Sequence, residues 1–308
     1  MKWGCYMGYL HCNKEQFKEA IDLVVYQTGI SPEVVEKDYY VTMILKSLAE
    51  KVTYIVFKGG TSLSKCHKII KRFSEDIDIS VDESISQGQR KKIKDAIVET
   101  ATMLDMNIDN LDETKSRRNY NKYIVSYDSV VSTETVSISR TVIIETSLAV
   151  LSFPVQMMQV DNYIGKMMKK EAPQLIDLYG LNPFEMKVQQ IDRTLVEKVF
   201  AICDYYLKEE FHKYSRHLYD IYKLYPLVPQ NEAFRLLINE VRKIRKSSAS
   251  CPSAQDNISI TELLRRIVDE EVFKNDYKTV TEYLLNEVVS YDETMDVIRK
   301  IIESRIFE

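Results

Sequence analysis

The run from Tyr54 to Val81, YIVFKGGTSLSKCHKIIKRFSEDIDISV, constrains this chain more than any other stretch, because it sets a strand, a glycine turn, a helix and an acidic strand in order. Tyr54 to Phe57 is β-branched and aromatic and stops at Gly59-Gly60, after which Leu63 to Ile70 has helical character. Glycines at such a junction let backbone approach a ligand closely. The free N–H groups of a first helical turn, with the Thr61 and Ser62 hydroxyls, then favour an anion such as phosphate. Sixteen positions beyond Gly60, Asp76-Ile77-Asp78-Ile79 alternates with the two-residue period of a half-buried strand, so Asp76 and Asp78 share a face. Neighbouring carboxylates repel unless a cation lies between them, and Mg²⁺ completed by substrate phosphates suits such donors. The layout predicts metal-assisted phosphoryl or nucleotidyl transfer. Taken singly, the pieces also describe an ordinary turn and a solvated strand rim. A P-loop is excluded because Lys58 precedes the glycines, and a dinucleotide fingerprint because no third glycine follows.

Composition sets the bounds on this reading. With 308 residues, 45% of them hydrophobic, and only 8 Gly and 7 Pro, the chain is expected to be globular, with one large domain or two modest ones. Its 42 basic and 46 acidic residues leave a net charge of −4, which excludes the overall electrostatic footprint of a general nucleic-acid binder. Basic clusters remain at Lys65, Lys68, Lys71 and Arg72, at Arg117, Arg118 and Lys122, and at Lys166, Lys169 and Lys170, each of which also reads as a solvated face. Cysteines 5, 12, 66, 203 and 251 are scattered and odd in number, which favours a reducing compartment over a disulfide framework, and His11 beside Cys12 reads as incidental. No apolar segment is long enough for a signal peptide or a membrane span, so a cytoplasmic location and no membrane partner are expected.

The first half of the chain mixes helices and strands, and the second is almost all helix. Helices are expected over 14–28, over 32–48 with Ser31 as N-cap and Pro32 at the first position, and over 84–104. Strands are expected at Tyr123 to Tyr127 and Val136 to Leu148. Glu145 lies among β-branched neighbours in the second. It is either a third carboxylate facing a metal or an ordinary strand-edge glutamate. Downstream, Thr194-Leu-Val-Glu197 has the spacing of a capping box, which places a helix start just after Arg193 and Lys198 in its early turns. Between Leu195 and Ile202, Lys198 interrupts an apolar stripe; it needs an anion, or it snorkels. Arg216 and Asp220, four apart, have the spacing of a surface pair. The basic run from Arg242 to Lys246 leads into Ser247 to Ala254, expected to be an exposed loop.

These residues carry a resemblance. KGGTSLSK (Lys58 to Lys65) with RFSEDIDI (Arg72 to Ile79) resembles the opening motif of the AbiEii/AbiGii family, bacterial abortive-infection toxins with a polymerase-β-type nucleotidyltransferase fold. SPEVVEKDYYVTMIL (Ser31 to Leu45), with its Glu-Lys-Asp-aromatic signature at Glu36 to Tyr39, is similar to the family's upstream helix, and TLVEKVFAI (Thr194 to Ile202) and RHLYDIY (Arg216 to Tyr222) to its later blocks.

The resemblance implies an α/β chain with a polymerase-β-like mixed-sheet domain at 1–182, a helical domain at 183–308, and a site in the cleft between them. It implies Asp76, Asp78, Lys198 and Asp220 as catalytic residues, and Asp76, Asp78 and Glu145 as ligands of Mg²⁺ or Mn²⁺. Lys58, Gly59, Gly60, Thr61, Ser62, Ser74 and Arg216 would bind the NTP, Lys198 would hold the triphosphate, and Asp220 would orient Lys198 or act near the attacking hydroxyl. The implied acceptor is the 3′ end of tRNA or another RNA, and the implied partner is a cognate antitoxin of a type IV toxin–antitoxin or phage-defence pair. Protein nucleotidylation, including self-modification, and a non-catalytic nucleotide-binding regulator are the alternatives.

Overall fold

A computed structural model describes residues 8–132, 139–149 and 151–308. The chain divides into two compact units: the described residues of 1–61, 75–151 and 155–188 form the first, and 62–74, 152–154 and 189–308 the second.

The first unit is a mixed sheet with helices. Asn13 caps α1 (Lys14–Thr28) by accepting the Gln16 N–H, and Gly29, at φ 70°, ends it in the left-handed region that glycine enters without strain. Helix α2 (Pro32–Lys51) follows with Pro32 in its first turn. The strands are β1 (Ile55–Lys58), β2 (Ile77–Val81), β3 (Asn107–Ile108), β4 (Tyr120–Ser126), β5 (Thr141–Ser147), β6 (Val155–Val160) and β7 (Phe184–Gln189), in the spatial order β3-β4-β5-β2-β1-β7-β6. Strand β2 is antiparallel to β1 and parallel to β5, so the acidic strand is central. Between strands lie α3 (Gly59–Lys65), α4 (Gln87–Met103), α5 (Tyr163–Glu171) and α6 (Gln174–Leu178). Helix α4 opens on a reciprocal capping box between Ser86 and Gln89.

The second unit is helical: α7 (Ile191–Leu207), α8 (Arg216–Leu224), α9 (Glu232–Arg245), α10 (Ile260–Glu270), α11 (Lys274–Asp276), α12 (Glu282–Leu284) and α13 (Tyr291–Ser304). Its core gathers Val199, Phe200, Leu218, Leu264 and Ile298, together with Leu63 and Ile70 from far upstream. Burial of those two side chains explains why residues 62–74, expected in the N-terminal domain, belong with the helices. Backbone pairing adds to it: Phe73 N–H donates to the Leu284 carbonyl at 3.0 Å, and Asn286 N–H to the Lys71 carbonyl at 2.7 Å.

Several expectations are corrected. The helix expected over 63–70 runs instead from Gly59 to Lys65, and Lys68, at φ 56°, stands in the left-handed region after it. Thr194 and Glu197 are not a capping box. Helix α7 starts three residues earlier, at Ile191 with Gln190 as its N-cap; the Thr194 hydroxyl donates back to the Gln190 carbonyl at 3.0 Å, and Glu197 pairs with Arg193 at 3.0 Å. The box spacing thus occurs inside a helix, where i−4 and i+4 partners satisfy both side chains. Nor is Ser247 to Ala254 wholly exposed: Ser253 and Ala254 are buried, and the Ser253 N–H donates to Asp204 Oδ1 at 2.8 Å while Arg245 holds Oδ2 at 2.6 Å. Cys12 is disulfide-bonded, a crosslink that the cysteine spacing did not predict, whereas Cys66, Cys203 and Cys251 are buried and outside any disulfide. The part of the strand expected at 136–138 lies outside the described residues. Among those described, no helix is long and apolar enough to cross a membrane.

His11 is a satisfied core histidine. Its Nδ1 meets the Tyr39 hydroxyl at 2.8 Å and its Nε2 the Leu104 carbonyl at 3.1 Å, while burial lowers its pKa to about 4. Because the unfolded chain binds a proton near pH 6.5 and the folded one does not, acid favours unfolding. Stability should therefore fall by about 3 kcal/mol from this group between pH 7 and pH 4. Denaturant melts across that range should show a flatter pH dependence in His11→Asn than in the wild type. An unchanged slope would contradict the assignment.

Candidate active site

In the first unit, strand registers build a row of charge across the sheet. Lys58 on β1 is opposite Asp78 on β2, Asp78 is opposite Glu145 on β5, and Glu145 is opposite Lys122 on β4. Register partners project to the same face, so the row reads Lys58, Asp78, Glu145, Lys122, two carboxylates flanked by two cations. Lys122 Nζ lies 4.0 Å from Glu145 Oε1, both side chains partly exposed. Asp76 immediately precedes β2, two residues from Asp78. Tyr120 links all three carboxylates: its phenol pKa is raised by burial first, then by Glu145, with which it hydrogen-bonds, and then by the charges of Asp78 and Asp76. Glu145 therefore stands on an interior strand beside Asp78.

Gly59 is required where it stands. It has φ +76°, and a Cβ built there would lie 1.8 Å from Asp78 Oδ2 and 2.8 Å from its Cγ. Only glycine lets the turn press against the carboxylate. Gly60, Thr61 and Ser62 are buried, whereas Ser74 is partly exposed. The donors of the row are hard oxygens, of the kind that suit Mg²⁺ or Mn²⁺. Among the described residues, no group of three His, Cys, Asp or Glu side chains is gathered closely enough to hold an ion alone. Asp78 and Glu145, side by side, offer hard oxygens that a cation could share with phosphate oxygens and water.

A second constellation lies within the helical unit. Lys198 is the eighth residue of α7, 9% exposed, between Leu195 and Ile202, which are fully buried. It does not snorkel: its Nζ meets Asp220 Oδ2 at 3.0 Å and His217 Nδ1 at 2.9 Å. Asp220, on α8, is no surface partner of Arg216. It is fully buried and held bidentately by Arg72, Nε to Oδ1 at 2.7 Å and Nη2 to Oδ2 at 2.9 Å. Arg216, at the start of α8, is partly exposed.

Electrostatics fix the protonation states. Burial alone would raise the Asp220 pKa, but Arg72 and then Lys198 outweigh it and hold the carboxyl well below the usual range. Burial lowers the pKa of Lys198, opposed by Asp220. Burial and then the Lys198 charge hold His217 well below its ordinary value. A neutral His217 accepts from the ammonium at Nδ1, which leaves its proton on Nε2, and the ring stacks at 7° to Tyr205. The result is one lysine aimed by a carboxylate and an imidazole. Arg72, His217 and Tyr120 are the members that sequence reasoning missed. Arg72 sits in the Arg-x-Ser-x-Asp-x-Asp motif and in a basic cluster that also read as a solvated face, but its partner lies 148 positions away and no local spacing points to it.

Residues 44–297 match the family model described as nucleotidyl transferase AbiEii toxin, type IV toxin–antitoxin system. No curated protein matches the chain. Among solved structures it is similar to MenT4, a nucleotidyltransferase toxin from Mycobacterium tuberculosis H37Rv, at 15% identity and a TM-score of 0.49, covering 92% of this chain and 88% of that one. The family match spans most of the chain, from within α2 to within α13. The chain therefore belongs to the AbiEii family of nucleotidyltransferase toxins of type IV toxin–antitoxin systems.

Proposed function

We propose that the protein transfers a nucleoside monophosphate from an NTP to a hydroxyl at the 3′ end of tRNA, with Mg²⁺ as cofactor, and that a cognate antitoxin restrains it. The observation that carries this reading is the four-strand charge row, in which Asp78 and Glu145 stand side by side and Gly59 leaves room for Asp78. Asp76, Asp78 and Glu145 would hold the ion, which when bound polarises the α-phosphate and acidifies the acceptor hydroxyl. That hydroxyl forms its bond to the α-phosphorus, the bond to the β-phosphate oxygen breaks, and pyrophosphate leaves. The hydroxyl proton passes to a carboxylate of the same group. Lys58, Gly59, Gly60, Thr61 and Ser62 would cradle the β- and γ-phosphates, with Ser74 and Arg216 adding contacts. Lys198 would neutralise triphosphate charge as it leaves. Asp220 is suited to orienting Lys198 and not to taking a proton, because its pKa is held low and Arg72 occupies both its oxygens.

The test is incubation with each labelled NTP, Mg²⁺ and total RNA. Label should enter the tRNA fraction with the wild type and not with Asp76→Ala or Lys198→Ala; transfer that survives both unchanged refutes the site. One observation favours a second acceptor. The Tyr120 phenol, in a residue 51% exposed, interacts with Glu145, Asp78 and Asp76, which supports self-modification as the alternative. Label on the protein without RNA, lost in Tyr120→Phe, would establish that route.

A further inference from the structure

The Glu36 to Tyr39 signature takes no part in the reaction above, yet its four consecutive side chains reach four different parts of the first unit. The Tyr39 hydroxyl meets His11 at 2.8 Å, and Asp38 Oδ2 accepts the Tyr163 N–H at 3.0 Å. Glu36 accepts from the Ser129 hydroxyl at 2.6 Å and the Val130 N–H at 2.8 Å. Lys37, whose side chain is 2% exposed, donates to the Ser139 carbonyl at 3.0 Å and its hydroxyl at 3.4 Å, and ion-pairs with Glu75. Glu75 lies two residues before β2 and Ser139 two residues before β5.

We propose that Lys37 is a positioning residue, a buried ammonium that clamps the lead-ins of β2 and β5 and so holds the register that sets Asp78 beside Glu145. Parallel strands have no hairpin turn to set their pairing, and β2 and β5 are joined only through a long connection. A slip of one residue would send Glu145 to the opposite face. A buried cation with three partners resists such a slip, because moving either lead-in strands a charge or a carbonyl out of water. Lys37 thus acts on the carboxylates through Glu75 and Ser139, without touching them. The inference rests on the metal role proposed above for Asp78 and Glu145.

The test uses full-length Lys37→Met, which keeps the aliphatic stem, with Lys37→Arg as the conservative variant. Amide hydrogen exchange over residues 141–147, without metal, should be faster in Lys37→Met and restored in Lys37→Arg. Mn²⁺ binding, followed by loss of the free ion's electron paramagnetic resonance signal, should weaken by about tenfold or more, as when a partner behind a metal ligand is removed. Exchange and Mn²⁺ affinity both at wild-type values would overturn the clamp. If Lys37→Met does not fold, Glu75→Gln, at a side chain 27% exposed, decides by the same two measurements. Asp78→Asn separates the two readings. If it abolishes Mn²⁺ binding while the Lys37 variants match wild type, the clamp falls and the metal site stands; faster β5 exchange in a protein that never binds Mn²⁺ leaves the clamp and removes the metal.

Discussion

Asp220→Ala should destabilise the protein by roughly 3–5 kcal/mol and abolish nucleotidyl transfer, because it leaves Arg72 and Lys198 as buried cations with no anion between them. The stability loss follows from burial: all the partners at this point are side chains with little access to water, so solvent cannot replace the missing carboxylate. Lys198→Met should behave differently. It removes one cation but leaves the Arg72–Asp220 fork intact, so the cost in stability should stay within about 2 kcal/mol. Under the role proposed for Lys198 at the triphosphate, transfer should nonetheless fall by about 10² to 10³, the range expected when a preorganised charge is lost. Denaturant melts and labelled-NTP transfer measured on both variants separate the two effects. If Asp220→Ala melts like the wild type, the network does not hold the helical unit together; if Lys198→Met keeps full transfer, the lysine is structural.

Gly59→Ala is expected to cut transfer by about a hundredfold while costing only about 1–2 kcal/mol in stability. The backbone term comes from an L side chain at φ +76°, and the catalytic term from the methyl that must displace the Asp78 carboxylate. A control separates them. Gly29 has φ +70° with nothing within 4 Å of a methyl placed there, so Gly29→Ala should carry the same strain and transfer at the wild-type rate. Equal activity in the two variants would mean that the closeness of Gly59 to Asp78 has no bearing on catalysis.

How far the sequence could be read depended on the range of the interaction. Helix α1 over 14–28 and the start of α2 at Pro32 follow from neighbours a few positions apart, and they were legible. So was the polar-apolar alternation that places Asp78 on one face and Glu145 on a strand. Where local spacing has two explanations, the reading failed. Thr194-x-x-Glu197 fits a helix start and a helix interior equally, and only the hydrogen bonds to Gln190 and Arg193 decide between them. The i,i+4 spacing of Arg216 and Asp220 pointed to the wrong partner for the same reason.

By itself, the sequence determined the local elements, the family and the residue types that bear the chemistry, because backbone preference, side-chain period and motif spacing are properties of neighbouring residues. Only the tertiary structure decided that Asp78 lies beside Glu145 across parallel strands, that Gly59 presses on Asp78, that Lys37 ties together the lead-ins at Glu75 and Ser139, and that Arg72 reaches Asp220. Each of those pairings joins residues distant in the chain. Their partners are chosen by register and by the cost of leaving a buried charge unpaired, and neither quantity exists until the chain has folded.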